Sequence, residues 1–352
     1  MAVSKKKNKT ESKVSRGLSP GFMNALSEKN GILVPILEAV KNDNNLIFEI
    51  RNNYIKIYHR GGVLLEIKQE RNKNSYKVEK DSILGYMKKT KTISEDPKQK
   101  KLFSYLPKKY TISTKKDAND WADKFYILKS IMDIRLSKSN KLEKEFQQLV
   151  VRENNILGEA NNTDYYIIDF EYTNEKYSTD FRFDLVALRW DSTPQEKRSP
   201  KNSRLAIIEM KYGDDAIYDK PNNSDDTKKK KKASLSKHIK DAEDFLSDDE
   251  RKKAFLCEMK NLFNQKSDLG LILFNDKGKS KNIDCIKEEI EYIVLLAAHK
   301  PRNDNLKKEI KKIKEMKNAD LKFVEASFMG YALYSSSMLN LKQFKEKNNF
   351  IQ

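Results

Sequence analysis

The sequence predicts an α+β chain: a smaller β-rich unit near the N-terminus, then a larger α/β unit whose mixed sheet is flanked by helices. Two observations carry this. Between residues 45 and 80, runs rich in Ile, Tyr, Val and Phe are separated by Asn52-Asn53 and Gly61-Gly62, the pattern of a three- or four-stranded antiparallel meander. From about residue 137, amphipathic helical segments alternate with apolar strands, which sets helices against both faces of a sheet.

Taken in order, residues 1–25 are polar and basic and read as a disordered arm. Residues 26–116 form the β-rich accessory unit, opened by "GILVPILEAVKN", a short helix despite Pro35. Residues 117–136 read as a connecting helix, and 137–352 as the α/β unit. In that unit "KLEKEFQQLVVREN" puts Leu142, Phe146, Leu149 and Val150 on one helical face. "DYYIIDFEYT" and "FRFDLVALRW" are strands, and "RLAIIEMKYGDDAI" is a third. "SLSKHIKDAEDFL" and residues 249–265 are helices, "LGLILF" and "YIVLLAA" strands, "NDNLKKEIKKIKEM" a helix and "LKFVEASF" a last strand. Residues 331–346 fit either state.

Composition narrows the partners. Seventy Lys and Arg against 52 Asp and Glu leave a net charge of +18 over 352 residues, which favours a polyanion, nucleic acid before an anionic membrane surface. Part of that excess is ordinary solvated lysine. No apolar run approaches the roughly 20 residues that span a bilayer, and the basic start is not followed by a secretory apolar segment. Two cysteines, Cys257 and Cys285, make no framework or metal motif, so the expected setting is a reducing cytoplasm, without membrane contact. The histidines His59, His238 and His299 are too scattered for a zinc site, and no Walker loop, GxGxxG or nucleophile elbow occurs.

The chemistry-bearing stretch is "IIEMKYG". Glu-x-Lys also occurs at Glu66/Lys68, Glu258/Lys260 and Glu315/Lys317. The last two lie in helical segments, where side chains two apart diverge by about 200°, and Glu66/Lys68 reads as a surface feature of the meander. Glu209 and Lys211 differ because they end an apolar, doubly buried strand, share one face of it, and leave Met210 to pack behind. Upstream, Asp184 sits in a second apolar strand on the face of Val186 and Leu188. If the two strands are neighbours, Asp184 and Glu209 converge. Two carboxylates and the Met210 carbonyl suit Mg²⁺ or Mn²⁺. Lys211 would then lie beside the attacking water and a scissile phosphate, to orient or help deprotonate the one and offset charge on the other.

The order helix, strand, Asp strand, Glu-x-Lys strand, helix resembles the core of the PD-(D/E)XK nuclease superfamily. Phe183-Asp184 stands where the family label has Pro-Asp, and Glu209-Met210-Lys211 forms the second motif. The resemblance covers about residues 137–275. It implies a restriction-endonuclease-like fold and divalent-metal-dependent hydrolysis of DNA or, less often, RNA, in restriction or antiviral defence. The alternative is a catalytically silent nucleic-acid-binding or scaffolding protein on the same fold. The superfamily often adds a helix glutamate to the metal shell. Glu145 is the candidate here and Glu143 points elsewhere, although a flank charge paired with a lysine accounts for Glu145 equally well. His238 could meet a phosphate, with Asp241 orienting its ring, or the two are an ordinary helix pair. Lys230, Lys231 and Lys232, within the run 228–232, are either a phosphate clamp or a solvated loop. Asp169, Glu171 and Asp180 are rival acids ranked below Asp184. Tyr54, Tyr58 and Tyr76 of the accessory unit either stack bases or belong to its core, and that unit is the expected site for a target or protein partner.

Overall fold

The computed structural model describes residues 16–70, 74–79, 97–138, 142–156, 163–173, 182–190, 203–217, 234–272, 282–299, 304–326 and 330–350. Among them are ten helices and two sheets, an α+β fold. The first sheet is antiparallel, with its five strands in sequence order: β1 (Ile47–Ile50), β2 (Tyr54–His59), β3 (Gly62–Gln69), β4 (Tyr76–Val78) and β5 (Thr111–Ile112). The β2–β3 turn is built on Arg60 at φ 49° and Gly61 at φ 72°, two left-handed residues whose twist matches a tight hairpin. Around this sheet lie α1 (Pro20–Ser27), α2 (Val34–Lys41), α3 (Pro97–Ser104), α4 (Lys115–Ala122) and α5 (Phe125–Lys138). Pro35 is tolerated because it occupies the first turn of α2, where its missing N–H has no intrahelical partner to lose.

The second sheet has the order β11-β10-β9-β8-β7-β6: β6 (Tyr165–Tyr172), β7 (Phe183–Arg189), β8 (Arg204–Tyr212), β9 (Lys287–Ala297), β10 (Asp320–Glu325) and β11 (Leu339–Asn340). β6, β7 and β8 run antiparallel, whereas β9 lies parallel to both β8 and β10. The helices are α6 (Leu142–Asn155), α7 (Leu235–Leu246), α8 (Asp249–Asp268), α9 (Asp304–Lys312) and α10 (Leu341–Lys347). Side-chain alternation splits the sheet between two cores. Leu205, Ile207, Tyr292 and Val294 join Ile239, Phe245, Phe255 and Phe263 on one face, while Ala206, Ile208, Met210 and Ile293 join Val150 and Val151 on the other. Both faces of β8 are covered, which is why its apolar run does not alternate.

Several expectations change. Residues 16–25 belong to the fold: Arg16 and Leu18 are buried and Phe22 of α1 is fully so. The connecting segment is two helices, α4 and α5, rather than one. The first core runs from the strands of the accessory sheet into the helices over the second sheet. "LGLILF" is not a strand over residues 269–272, which follow α8 as its C-cap and turn, and 273–274 lie outside the described residues.

The buried face of α6 also differs. Leu142 is exposed, and the helix instead buries Gln147, Gln148, Val150, Val151, Asn154 and Asn155. Three of these amides, Gln148, Asn154 and Asn155, are buried because they satisfy backbone groups of neighbouring segments. Gln148 accepts from Gly61 N–H at 2.6 Å and donates to the Asn45 carbonyl. Asn155 bonds both N–H and C=O of Ile167, and Asn154 does the same for Leu333 N–H and Tyr331 C=O. Among the described residues no helix is long and apolar enough to cross a membrane, and both cysteines are free and exposed.

Candidate functional site

The antiparallel register sets Leu185 opposite Ile208 and Val186 opposite Ile207, so the next step along the same ladder brings Asp184 to Glu209. With a side-chain period of two, both carboxylates and Lys211 fall on the face covered by α7 and α8. The Met210 N–H donates to Asp184 Oδ2 at 3.0 Å, which ties the strand ends together, while the Met210 side chain packs in the opposite core. Lys211 Nζ lies 2.6 Å from Glu209 Oε1. Relative exposures of 3% for Asp184, 2% for Glu209 and 6% for Lys211 make this a dry cluster of three ionisable groups.

Dryness sets the proton affinities. Burial lifts the Asp184 carboxyl to about 6, and Glu209 adds to the rise against Lys211 and Arg182. Burial raises Glu209 as well, with Lys211 opposing. The same burial works against the Lys211 ammonium, but Glu209 and Asp184 outweigh it and its pKa is raised. Lys211 is thus held as a cation between the two carboxylates. Ser234 caps α7, accepting from Lys237 N–H, and this brings His238 Nδ1 to 3.4 Å from Glu209 Oε1. Burial and Lys211 push His238 down to about 4, leaving a neutral imidazole at pH 7.

The other expected residues divide. Asp241 does not orient the His238 ring. Both its oxygens are 2.8 Å from Lys237 Nζ, because i and i+4 meet on the exposed flank of the helix. Glu145 is engaged by Arg60 at 2.7 and 3.1 Å, a two-pronged pair between the β2–β3 turn and α6. The helix glutamate whose field reaches Glu209 and Lys211 is Glu143. It lies one turn before Phe146, which stacks on Tyr212 with ring centroids 4.4 Å apart, just past the end of the Glu-x-Lys motif. Lys230, Lys231 and Lys232 lie outside the described residues, as does Asp180.

Of the rival acids, Asp169 is fully buried, at 2.9 Å from Arg16 and 2.7 Å from Arg51. Glu49 and Lys266, 3.0 Å apart, complete a buried network joining β1, β6 and α8. Glu171 pairs with Lys144 and lies 3.6 Å from Arg182. Two of the other Glu-x-Lys glutamates are buried too. Glu66 pairs with Lys68 at 2.7 Å, and Glu258 accepts from the Tyr172 hydroxyl at 2.8 Å. Tyr58 and Tyr76 are core residues, and Tyr54 carries Lys56 and Lys68 over its ring. Arg182, which the sequence did not single out, stands 3.7 Å from Asp184 Oδ1. Its signal was its position, two residues before Asp184 and therefore on the same strand face.

Among the described residues no group of three or more His, Cys, Asp or Glu side chains is arranged as a metal centre. Scanned against protein-family models, curated proteins and solved structures, the chain matches none of them.

Proposed function

We propose that the chain is a divalent-metal-dependent nuclease that hydrolyses phosphodiester bonds, DNA in preference to RNA, through Asp184, Glu209 and Lys211. The observation that carries this reading is the meeting of these three groups, nearly solvent-free, at the ends of two paired strands. Nothing about packing calls for two carboxylates there, since burying ionised groups is costly unless they are bound. The donor set fits a hard cation. Glu209 raises the proton affinity of Asp184, as expected of two carboxylates that favour a positive charge between them. They would hold Mg²⁺ or Mn²⁺ with the Met210 carbonyl, and Glu143, in place of Glu145, at the fringe. Such an ion, when bound, polarises phosphoryl oxygens and acidifies water.

Hydrolysis forms a bond from a water oxygen to phosphorus, breaks the ester P–O bond, and moves a proton to the departing oxygen. Lys211 orients the water and offsets the negative charge that grows on the phosphoryl oxygens. Neutral His238 has a ring nitrogen to spare for hydrogen bonding at a phosphate or at the water. The net charge of +18 supports a polyanionic substrate, and two exposed free thiols support a reducing cytoplasm. The accessory sheet would serve target or partner recognition, in restriction or antiviral defence.

One observation favours the second reading, a silent nucleic-acid-binding scaffold: Lys211 already neutralises Glu209 at 2.6 Å. Purified protein given Mg²⁺ or Mn²⁺ with duplex DNA and with RNA separates the two. Cleavage lost in Asp184→Ala and Lys211→Ala, with thermal melting retained, upholds the nuclease. Cleavage that persists in Lys211→Ala sinks the mechanism. Binding without cleavage under either metal favours the scaffold.

A further inference from the structure

Arg182 precedes β7 by one residue and Asp184 by two, so it continues the face that carries the site. Its side chain is 45% exposed, against 5% for Asp184, which puts the guanidinium at the mouth and the carboxylate at the floor. Nη2 lies 3.7 Å from Asp184 Oδ1 and Nη1 lies 3.6 Å from Glu171 Oε1. Both separations are ion-pair distances beyond hydrogen-bond reach. Arg182 is therefore held between two carboxylates by their field, with its N–H donors uncommitted among the described residues. The neighbouring cations are engaged: Lys211 with Glu209, Lys144 with Glu171, and Lys237 with Asp241. The field of Arg182 also acts on Glu209 and His238, so it overlooks the whole cluster.

We propose that Arg182 is the substrate-phosphate ligand of this site, presenting its N–H fork to a phosphodiester at the mouth while Asp184 and Glu171 aim it from below. A planar guanidinium with free donors matches two phosphate oxygens at once, which a lysine ammonium does not. This rests on the nuclease reading and adds to it a residue that binds the polyanion without belonging to the Asp and Glu-x-Lys motifs.

The test uses the full chain without metal, in EDTA, and reads fluorescence anisotropy of a labelled DNA duplex and of a labelled RNA. Salt is varied between about 50 and 200 mM, where phosphate contacts register as counterion release. Arg182→Gln should bind about tenfold or more weakly than wild type, as expected for a lost hydrogen bond to a charged group. The slope of log K against log salt should shrink by about 0.9 on duplex DNA. Arg182→Lys should keep the slope and recover only part of the affinity. Thermal melting of each variant separates this from misfolding, since a merely structural arginine would shift the melt and leave the slope alone. If wild type binds and cleaves, and Arg182→Gln matches it in affinity and slope, the arginine proposal is overturned and the nuclease stands. If wild type neither binds nor cleaves, both are overturned.

Discussion

The backbone N–H of Met210 donates to the Asp184 carboxylate at 3.0 Å, a bond between neighbouring strands that an asparagine at 184 preserves. Asp184→Asn thus removes a charge while keeping the acceptor, and this makes the site's electrostatics measurable. Asp184 is raised from 3.8 to about 6, so between those values the folded chain holds the proton more tightly and stability falls as pH rises. The shift is worth about 3 kcal/mol. His238 has the opposite sign. Lowered from 6.5 to about 4, it binds the proton less tightly when folded, and stability rises with pH across that window. Relative to wild type, Asp184→Asn should gain stability as pH rises from about 4 to 6, and His238→Gln should gain it as pH falls. Urea unfolding across that range checks this. Differences of the same sign in both variants would refute it.

Glu143 and Glu145 should behave as different kinds of residue. Glu143→Gln should slow the proposed cleavage by about tenfold or more, in the range of removing an outer metal partner. Glu145→Gln should leave cleavage intact and cost about 0.5–1 kcal/mol, because its arginine partner is 38% exposed and the pair is partly screened. Cleavage assays beside urea unfolding decide, and the reverse pattern would restore Glu145 to the site.

Asp169→Asn should destabilise the chain by about 3–5 kcal/mol at neutral pH, since it leaves Arg16 and Arg51 buried without their shared carboxylate. Burial favours the neutral acid, yet Arg16 and Arg51 win and hold its pKa below the ordinary value. Its contribution is therefore present above that ordinary value and lost as pH falls through the lowered one. The deficit of the variant should shrink toward acid pH. A deficit independent of pH would mean that packing, not charge, is what the mutation removes.

Gly61→Ala should loosen the hairpin from α6. The residue has φ 72°, and a Cβ would lie 2.4 Å from the Lys144 carbonyl oxygen, a backbone atom that cannot swing aside. The cost should reach about 2 kcal/mol or more from strain and overpacking together. Denaturant midpoints measure it, and hydrogen exchange at Gly61, whose N–H bonds Gln148, should quicken. An unchanged midpoint would show that the hairpin can shift away from the helix.

The α+β class, the meander, and the strands carrying Asp184 and Glu209/Lys211 were all legible in the sequence, because each rests on local periodicity. A run such as Leu205–Ile208 buries both faces wherever it is placed, and a period of two puts Glu209 and Lys211 on one side without reference to anything distant. The α6 face was misread for the same reason in reverse. Gln148, Asn154 and Asn155 are buried not by their own hydrophobicity but by backbone groups of distant segments that need partners. That reversal moved the helix glutamate of interest from 145 to 143.

What the sequence determined by itself was which residue types repeat at which spacing, and so which elements form and which side chains share a face. Which charge meets which was decided only by the tertiary structure. Asp241 went to Lys237, Glu145 to Arg60 and Asp169 to two arginines, while Arg182, among the described residues, was left with its donors open beside Asp184. The physical reason is range. Periodicity acts over a few residues of one chain segment, whereas an ion pair forms wherever folding brings opposite charges within about 4 Å. In a chain with 122 charged residues, the sequence offers each of them many partners and the packing selects one or two.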